Sequence, residues 1–485
     1  MRQPLLFDRI LEHAGRDGQA AALDASGTLW TYAALAAAVV GFSRQLAGEN
    51  LPPEGVAVLH LGRRVDAWLA GLALRRLGLD TIAMGQTAPL KTLALSGVCC
   101  MLVAADCGSA ELARIAPPDG CRILRIRGFE PGQWANALQT PTPASGPSGA
   151  HILLTSGTTG ENKKIRWEPA PEAASLDPLA ALYGIDRSSR VYVADFPLST
   201  AGGHRWPQIA WSQGGLVVID QRADLGRAYR ESGLTHAFAT PFMLRNLLLL
   251  PGQDLRRNAN LQLLVAGGAL TKPLADGALT RLTPHLFSLF AATEASAIAL
   301  TPWRGSDGPA WHQILPGREV EIADALDQPL PPGEVGALRV RALEGIYGYL
   351  DSPDATAAHF RDGWFYTGDL GVLDHQGRLA LRGRSNDVIN CQGNKTAPEP
   401  LELSLQELLG AEAVCVFATP GADQQDQLHV AIQSRRAITK REVDTLAASE
   451  LQMFGAVRFY IVQELPRNDM GKFQRAQIRQ MLQGR

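Results

Sequence analysis

A loop rich in serine, threonine and glycine, at residues 155–163, is the segment best suited to hold phosphate groups. It follows an apolar stretch, 152–154, that predicts a strand. Its glycines let backbone amides converge, its hydroxyls can donate, and Lys163 adds positive charge. It is not an NTPase P-loop, because GxxxxGK[ST] would require glycine where Asn162 stands. The residues expected to contact phosphate are Thr155, Ser156, Gly157, Thr158, Thr159, Gly160 and Lys163.

Further segments with charged or glycine-rich motifs follow along the chain. They read AGGAL at 266–270, FAATE at 290–294, DGWFYTGDLG at 362–371, GRSNDVI at 383–389 and LPRNDMGK at 465–472. In order and spacing this set resembles the signatures of the acyl-adenylate-forming superfamily, which includes acyl-CoA synthetases, adenylation domains of peptide synthetases and firefly luciferase. The resemblance spans residues 25 to 475.

The resemblance implies an ATP- and Mg²⁺-dependent ligase with two half-reactions. A carboxylic acid and ATP give acyl-AMP and pyrophosphate, and a thiol then displaces AMP. The expected thiol is coenzyme A, with the phosphopantetheine of an acyl carrier protein as the alternative. A nucleotide-binding interaction module without activity is a rival from another class. The joint presence of Glu294, Asp369 and Lys472 argues against that rival.

The resemblance also assigns a role to each matched residue. Lys472 would bridge the attacking carboxylate and the α-phosphate, and Thr293 would donate to the α-phosphate. Glu294 offers hard oxygens for Mg²⁺. Asp369 would accept both ribose hydroxyls, and Arg384 would reach ribose and phosphate. Beside the adenine the family places the residues that match Gly268, Ala269 and Phe290.

The acyl pocket is where the sequence departs from its relatives. Thr200 stands where a gate histidine is usual, and Ala291 replaces a glycine, so its methyl narrows the pocket. The acidic residue that binds an α-amino group in peptide synthetases is not evident. We therefore expect an aromatic or a short-to-medium aliphatic acid. The residues predicted to line the pocket are Thr200, Gly203, His204, Gly267, Ala291 and Ala292, with Trp206 as a further candidate.

The predicted fold class is α/β. Strands and helices alternate through the first part of the chain, which predicts parallel sheets covered by helices. Thr31 is expected to cap an alanine-rich helix over 32–45, and apolar runs predict strands at 56–61, 99–104, 215–219 and 236–239. A β-rich subdomain begins near residue 315 and includes a β segment at 371–382, and a later helix is predicted at 440–450. Residues 1–383 would form the adenylation core of layered α/β subdomains. Residues 384–388, with Asn386, would form a hinge. Residues 389–485 would form a small mobile α+β domain that removes Lys472 and presents a thiol tunnel near Gly393.

Composition sets the remaining limits. The chain has 485 residues, enough for two or three domains, and a formal net charge of −2, which argues against a nucleic-acid partner. Residues 1–18 lack the apolar run of a signal peptide, and no apolar stretch is long enough to span a membrane. Unpaired cysteine spacing predicts free thiols and a cytoplasmic location. A basic cluster is interpreted as the solvated flank of a helix: Arg63, Arg64, Arg75 and Arg76.

Overall fold

The computed structural model describes most of the chain. The described residues are 4–84, 90–139, 147–156, 162–194, 196–220, 226–231, 233–252, 255–304, 311–343, 345–385, 389–391, 394–396, 398–420, 426–451, 454, 457–468 and 471–482. Within them the fold is a mixed α/β arrangement of several sheets, so the predicted fold class is confirmed. None of the described helices is long and apolar enough to cross a membrane.

The strands are short and most follow apolar runs of the sequence. In chain order they are β1 (Ala21–Ala25), β2 (Thr28–Thr31), β3 (Val56–His60), β4 (Asp80–Ala83), β5 (Val98–Ala104), β6 (Arg122–Ile126), β7 (His151–Ser156), β8 (Asn162–Trp167), β9 (Arg190–Val193), β10 (Leu216–Ile219), β11 (His236–Ala239), β12 (Gln262–Ala266), β13 (His285–Ala292), β14 (Ser296–Pro302), β15 (Val320–Ala323), β16 (Gly336–Arg341), β17 (Phe360–Arg361), β18 (Trp364–Leu373), β19 (Leu379–Arg384), β20 (Ile389–Cys391), β21 (Asn394–Thr396), β22 (Ala413–Pro420), β23 (Asp426–Gln433) and β24 (Val457–Val462).

The helices begin at recognisable caps. Thr31 accepts from the amide of Ala34 at 3.1 Å and starts an alanine-rich helix, as predicted. In chain order the helices are α1 (Leu6–Arg16), α2 (Tyr32–Ala47), α3 (Arg64–Arg76), α4 (Ser109–Ile115), α5 (Pro169–Tyr183), α6 (Ala201–Ser212), α7 (Arg227–Glu231), α8 (Pro241–Leu248), α9 (Lys272–Arg281), α10 (Pro353–His359), α11 (Pro398–Leu409), α12 (Lys440–Leu446), α13 (Ala448–Leu451) and α14 (Arg475–Leu482), with 3₁₀ turns at Leu90–Leu93 and Ala137–Gln139.

Two large, mainly parallel sheets form the first part of the molecule. One has the strand order β6-β5-β3-β4-β7-β8 and the other the order β14-β13-β12-β11-β9-β10-β1-β2. Antiparallel pairs occur at the edges, where β8, β14 and β2 join. Strands such as β3 and β10 are buried along their whole length, as expected when helices cover both faces of a parallel sheet. The main apolar cluster includes residues of both sheets and of α2, α3 and α6.

Two smaller units follow. An antiparallel sheet of β15, β16, β18, β17 and β19 forms the β-rich part, and β18 begins earlier than the predicted β segment at 371. The last unit contains the sheet β22-β23-β24 and helices α11 to α14, with α12 and α13 in place of the single helix predicted at 440–450. Two of its apolar clusters contain only residues from Ile389 onward.

Of the four arginines in the basic cluster only Arg63 is exposed, so most of the cluster is not the solvated flank that was predicted. Arg75 is buried and forms an ion pair with the buried carboxylate of Glu172. Arg64 donates to the carbonyl oxygens of Val193 and Ala194, at 3.0 and 2.7 Å. Burial alone would raise the pKa of Glu172, but Arg75 and His204 hold it below its usual range. Arg75 and Arg64, which were expected on a solvated helix surface, therefore connect α3 to α5 and to the end of β9.

Arg75→Met tests the weight of this buried pair. Removing one partner leaves Glu172 charged and dehydrated, so we expect a loss of about 3–5 kcal/mol in the free energy of unfolding. Arg63→Met is the matched control, since Arg63, directly before α3, is largely exposed. Its substitution should lower the free energy of unfolding by less than about 1 kcal/mol. Urea unfolding followed by circular dichroism measures both. Equal losses in the two variants would contradict the assignment.

Candidate functional site

The predicted phosphate loop connects two antiparallel strands. In the hairpin of β7 and β8, Thr155 lies opposite Lys163. The loop residues Gly157, Thr158, Thr159 and Gly160, and the side chain of Ser156, lie outside the described residues. Lys163 Nζ lies 2.6 Å from Nε2 of His359 and 4.9 Å from the ring centre of Tyr349. Loss of solvent lowers the pKa of Lys163, Glu294 opposes that shift and Arg384 adds to it.

Thr293 and Glu294 lie in the tight turn between β13 and β14. The amide of Ala295 donates to the carbonyl of Ala292 at 3.2 Å and closes the turn. Glu294 is buried, and its Oε1 accepts from the hydroxyl of Tyr349 at 2.8 Å. The turn therefore presents its carboxylate toward the side of the site that also holds Lys163.

Asp369 and Arg384 face each other across β18 and β19. They are register partners, and Arg384 Nε lies 2.9 Å from Asp369 Oδ1. Gly368 has φ +77°, a left-handed conformation that glycine adopts without strain, directly before Asp369. Burial raises the pKa of Asp369, whereas Arg384, Thr367 and Lys472 act in the opposite direction. The pairing brings together two residues that the motifs place 15 positions apart.

Lys472 reaches the same place from the last unit. Its amide donates to Asn468 Oδ1 at 2.9 Å, and the preceding Gly471 packs on Phe242 of α8. The Lys472 side chain is exposed to solvent at the cleft that these residues form, and the surrounding protein lowers its pKa, as does Arg384. Asp369, Glu294 and Glu399 oppose that shift, so the ammonium lies within electrostatic reach of both carboxylates of the site.

The remaining part of the site is the carboxyl edge of the eight-stranded sheet. Gly267, Gly268 and Ala269 are exposed just after β12, and Ala291 is exposed near the end of β13. Gly267 has φ +85° and lies beside the side chain of Thr240. Because parallel strands end at one edge of a sheet, these residues form a continuous border, where ligands commonly bind in open α/β folds. Ala292 is half-buried beside Ala291.

Comparison with known proteins decides the family. Residues 10–350 match the profile of the AMP-binding enzymes. The chain belongs to that family. The resemblance drawn from the motifs is thereby confirmed.

Individual relatives are distant. The chain is 28% identical, over 68% of its length and 67% of the relative's, to a fatty acid–[acyl-carrier-protein] ligase, ScoC, from Streptomyces coeruleorubidus. It is 32% identical, over 69% of each protein, to a 2-succinylbenzoate–CoA ligase of a Geobacillus species. In these two relatives, and in a 4-hydroxybutyrate–CoA ligase and a salicylyl-CoA synthase, the aligned stretch spans about two thirds of the relative's length. ATP-bound MatB from Rhodopseudomonas palustris shares the fold, with TM-score 0.85, 21% identity and 99% of both chains covered.

In this AMP-binding enzyme three predicted pocket residues lie in packed or hydrogen-bonded surroundings. The ring of His204 is buried, 2.7 Å from Glu172 Oε1, and stacks on His151 with ring centres 3.8 Å apart. Gly203 is buried against Pro197, where a Cβ would lie 2.4 Å from the carbonyl oxygen. The hydroxyl of Thr200 donates to Pro197 and caps α6. Thr200 thus uses its hydroxyl locally and His204 is held by a distant glutamate, and the lining of the acyl pocket by these three residues stays a prediction.

The roles predicted for Phe290, Asn386 and Gly393 stay predictions. The ring of Phe290 is half-buried and packs against apolar residues of the antiparallel sheet, among them Phe365 and Leu338. Its stacking on adenine stays a prediction. Asn386 and Gly393 lie outside the described residues.

Tyr349 and His359 contact the site but were missed from the sequence. They belong to the segment directly before the 362–371 motif. Their closeness in sequence to that motif is the feature by which they could have been identified.

The site suits a magnesium–nucleotide complex. The family implies Mg²⁺, for which the buried carboxylate of Glu294 would offer hard oxygens, and Lys163, Lys472 and Arg384 lie nearby to balance a polyphosphate. The Glu294 carboxylate is already oriented by Tyr349. Asp369 offers a second carboxylate, next to Arg384. This carboxylate fits a sugar hydroxyl better than a phosphate.

Asp369→Asn tests the ribose assignment. Asparagine replaces one acceptor oxygen with a donor and loses the charge that faces Arg384, so ATP binding should weaken about tenfold or more, given that charged hydrogen bonds contribute roughly 1.5–3 kcal/mol. The affinity for the acid should change less than twofold. Calorimetric titration with each ligand measures this, and Asp374→Asn, near the same sheet but in a surface turn, is the control. Equal weakening of ATP and acid would contradict the assignment.

Proposed function

We propose that this AMP-binding enzyme activates a carboxylic acid as its acyl-adenylate and then transfers the acyl group to a thiol. In the first step a carboxylate oxygen forms a bond to the α-phosphorus of ATP. The bond from that phosphorus to the bridging oxygen breaks, and its electron pair leaves with pyrophosphate. The convergence of Lys163, Glu294, Asp369, Arg384 and Lys472 on one cleft carries the proposal.

Each residue then has a task that its environment supports. Two anions must approach during the attack, so fixed positive charge near the reacting oxygens stabilises the transition state. Lys472 would lie between the acid and the α-phosphate, and Lys163 would hold the leaving phosphates. Asp369 would orient the ribose. Mg²⁺ bound at Glu294 would neutralise phosphate charge.

The thiol step would use the mobility of the last unit. We propose residues 1–383 as the core, 384–388 as the hinge and 389–485 as the mobile domain. Two features support this boundary: two apolar clusters contain only residues of the last unit, and the described contacts of that unit with α8 include hydrogen bonds and a glycine packed on a ring. Arg245 donates to Glu412 at 2.7 and 2.9 Å, and Gly471 packs on Phe242. Such contacts can be exchanged when a domain rotates.

Coenzyme A is the proposed acceptor, and a carrier-protein phosphopantetheine is the alternative. The names of the relatives support both, since one is a carrier-protein ligase and another a CoA ligase. A competition assay supplies acyl-AMP together with coenzyme A and a carrier protein that bears a free phosphopantetheine thiol. The thioester that forms identifies the acceptor.

Lys472→Ala tests the division of labour between the steps. Adenylation, measured as pyrophosphate release, should fall about 10²–10³-fold because one charged donor is lost from the transition state. Thioester formation from supplied acyl-AMP should stay within threefold of wild type. Lys440→Ala, at the exposed start of α12, is the control and should change neither step. If Lys472→Ala slows both steps equally, the residue is structural and the domain movement is wrong.

The proposed substrate is an aromatic or a short-to-medium aliphatic acid. Ala291 lies exposed at the border of the cleft. Behind this edge the ring of Trp206 stacks on Phe238 and meets Tyr183 edge-on at 4.9 Å, so three aromatic rings occupy the space between α6, β11 and α5. This apolar filling supports a pocket of limited depth.

Ala291→Gly tests the compact pocket. Removing a methyl should raise kcat/KM for longer or bulkier acids by about 5- to 150-fold, the equivalent of roughly 1–3 kcal/mol of overpacking, and should leave the KM for ATP unchanged. Kinetics with a fatty-acid series and substituted benzoates provide the comparison. A wild type that prefers palmitate to every shorter or aromatic acid would contradict the proposal.

The rival interaction module makes a simple opposite prediction. A panel of carboxylic acids, scored by pyrophosphate release or by hydroxamate formation, should reveal turnover if the chain is a ligase. Nucleotide binding without turnover on any acid, under conditions where a related ligase is active, would favour the module.

A further inference from the structure

Two arginine side chains hold the turn of Thr293 and Glu294 from behind. Arg205, on α6, donates from Nη1 to the hydroxyl of Ser296 at 2.8 Å. Arg318 donates from Nε to the carbonyl oxygen of Ala297 at 2.8 Å, and its Nη2 donates to the carbonyl oxygen of Ala295. The three positions that directly follow Glu294 are thus each bound by a guanidinium.

These cations have neutral partners. Arg205 is buried, its Nη2 donates to the hydroxyl of Ser175 at 2.8 Å, and its guanidinium lies 4.1 Å from the ring centre of Trp167. Among the residues that the structure describes, neither arginine forms an ion pair with a carboxylate. Glu172 acts on Arg205 from a distance but is bound to Arg75. Burial lowers the pKa of Arg205 to about 10, and it lowers that of Arg318 as well.

Buried charge without a counter-charge is a poor way to stabilise a fold. An apolar side chain of similar size could fill the same space without the loss of hydration. What a guanidinium adds is several donors in a fixed plane, which can hold separate acceptors at set positions. Arg205 uses this property to join Ser175 of α5 to Ser296 of β14, and Arg318 uses it to hold two carbonyls.

The turn needs such support because its backbone is unusual. Ser296 has φ +57°, in the left-handed region that residues with a Cβ rarely adopt. The strand pair also shifts register between Phe290 and Ala291, just before the turn. A segment with these features would relax to other conformations if its hydroxyl and carbonyls were released. The side chain of Glu294 would then lose its fixed direction, although Tyr349 still binds one oxygen.

We propose that Arg205 and Arg318 are positioning residues that fix the turn of Thr293 and Glu294 for the metal-bound phosphates of ATP. This inference rests on the proposed function. Arg205 also links the turn to α6, where the next residue, Trp206, belongs to the aromatic filling of the acyl pocket.

The sharpest test compares two serines that bind the same arginine. Ser296→Ala removes the acceptor on the turn, and Ser175→Ala removes the acceptor on α5. We expect Ser296→Ala to weaken Mg-ATP binding at least fivefold while binding of ATP in EDTA changes less than twofold. Ser175→Ala should leave the ratio of the two affinities within twofold of wild type. Calorimetric titration gives both values without turnover.

A second pair of variants tests the other arginine. Arg318→Met should weaken Mg-ATP binding tenfold or more and lower kcat for pyrophosphate release, again with ATP binding in EDTA little changed. Arg281→Met is the matched control, since Arg281 also donates to backbone carbonyls, but to those of Leu248 and Leu250 and not to those of the turn. It should reduce stability alone. Arg318→Lys, which keeps the charge but not the paired donors, should recover less than half of the lost affinity.

The outcomes separate the two proposals. If Ser296→Ala and Arg318→Met lower stability and leave the ratio of Mg-ATP to ATP affinity unchanged, the arginines are structural and the inference is wrong. If wild type binds Mg-ATP but turns over no acid, the proposed ligase function fails while the affinity ratios still test the positioning role. Should Arg318→Met not fold, Ser296→Ala alone decides, because it removes a single hydroxyl.

Discussion

The contact of Gly471 with Phe242 is the constraint on which the assembled site depends. A Cβ at position 471 would lie 2.3 Å from the Phe242 Cβ, so backbone meets side chain with no room for another atom, and the glycine also has φ +78°. Only this close approach brings the next residue, Lys472, into the cleft beside Asp369 and Glu294. There the Lys472 ammonium loses part of its hydration but comes near two carboxylates. It lies next to the place that we propose for the reaction.

A buried polar network supports the other half of the site. Glu172 accepts from Arg75 and binds His204, which stacks on His151, and His151 in turn lies 2.8 Å from the hydroxyl of Thr81. His151 begins β7, whose far end leads to the phosphate loop, and His204 lies on α6 beside the acyl pocket. The two regions that we propose for the substrates therefore share one polar network, in which removal of any member leaves a polar group without its partner.

Local patterns were enough to predict much of this architecture. The apolar runs located β3, β5, β10 and β11 nearly to the residue, because buried parallel strands need little beyond continuous hydrophobicity. The motifs also located the charged groups, since each of those groups belongs to one of the quoted motifs. What failed was any inference that needed distant partners. The environment of His204 is set by a glutamate 32 residues earlier and an arginine on another helix, and Tyr349 and His359 join the site only across separate elements.

Lys163 contacts His359 in the free protein, so under the proposed function it would have to leave this histidine in order to bind a phosphate of the nucleotide. His359 Nδ1 faces the carbonyl oxygen of Tyr366 at 2.9 Å and donates to it, which leaves Nε2 as the acceptor for the lysine. Loss of solvent, together with the lysine charge, keeps the pKa of this histidine below its usual range, so the ring is neutral in the free protein. If, under the proposed function, the lysine turned to a phosphate, the same nitrogen would face an anion without its donor and would gain affinity for a proton. Occupation of the site by nucleotide would then be coupled to proton uptake at His359.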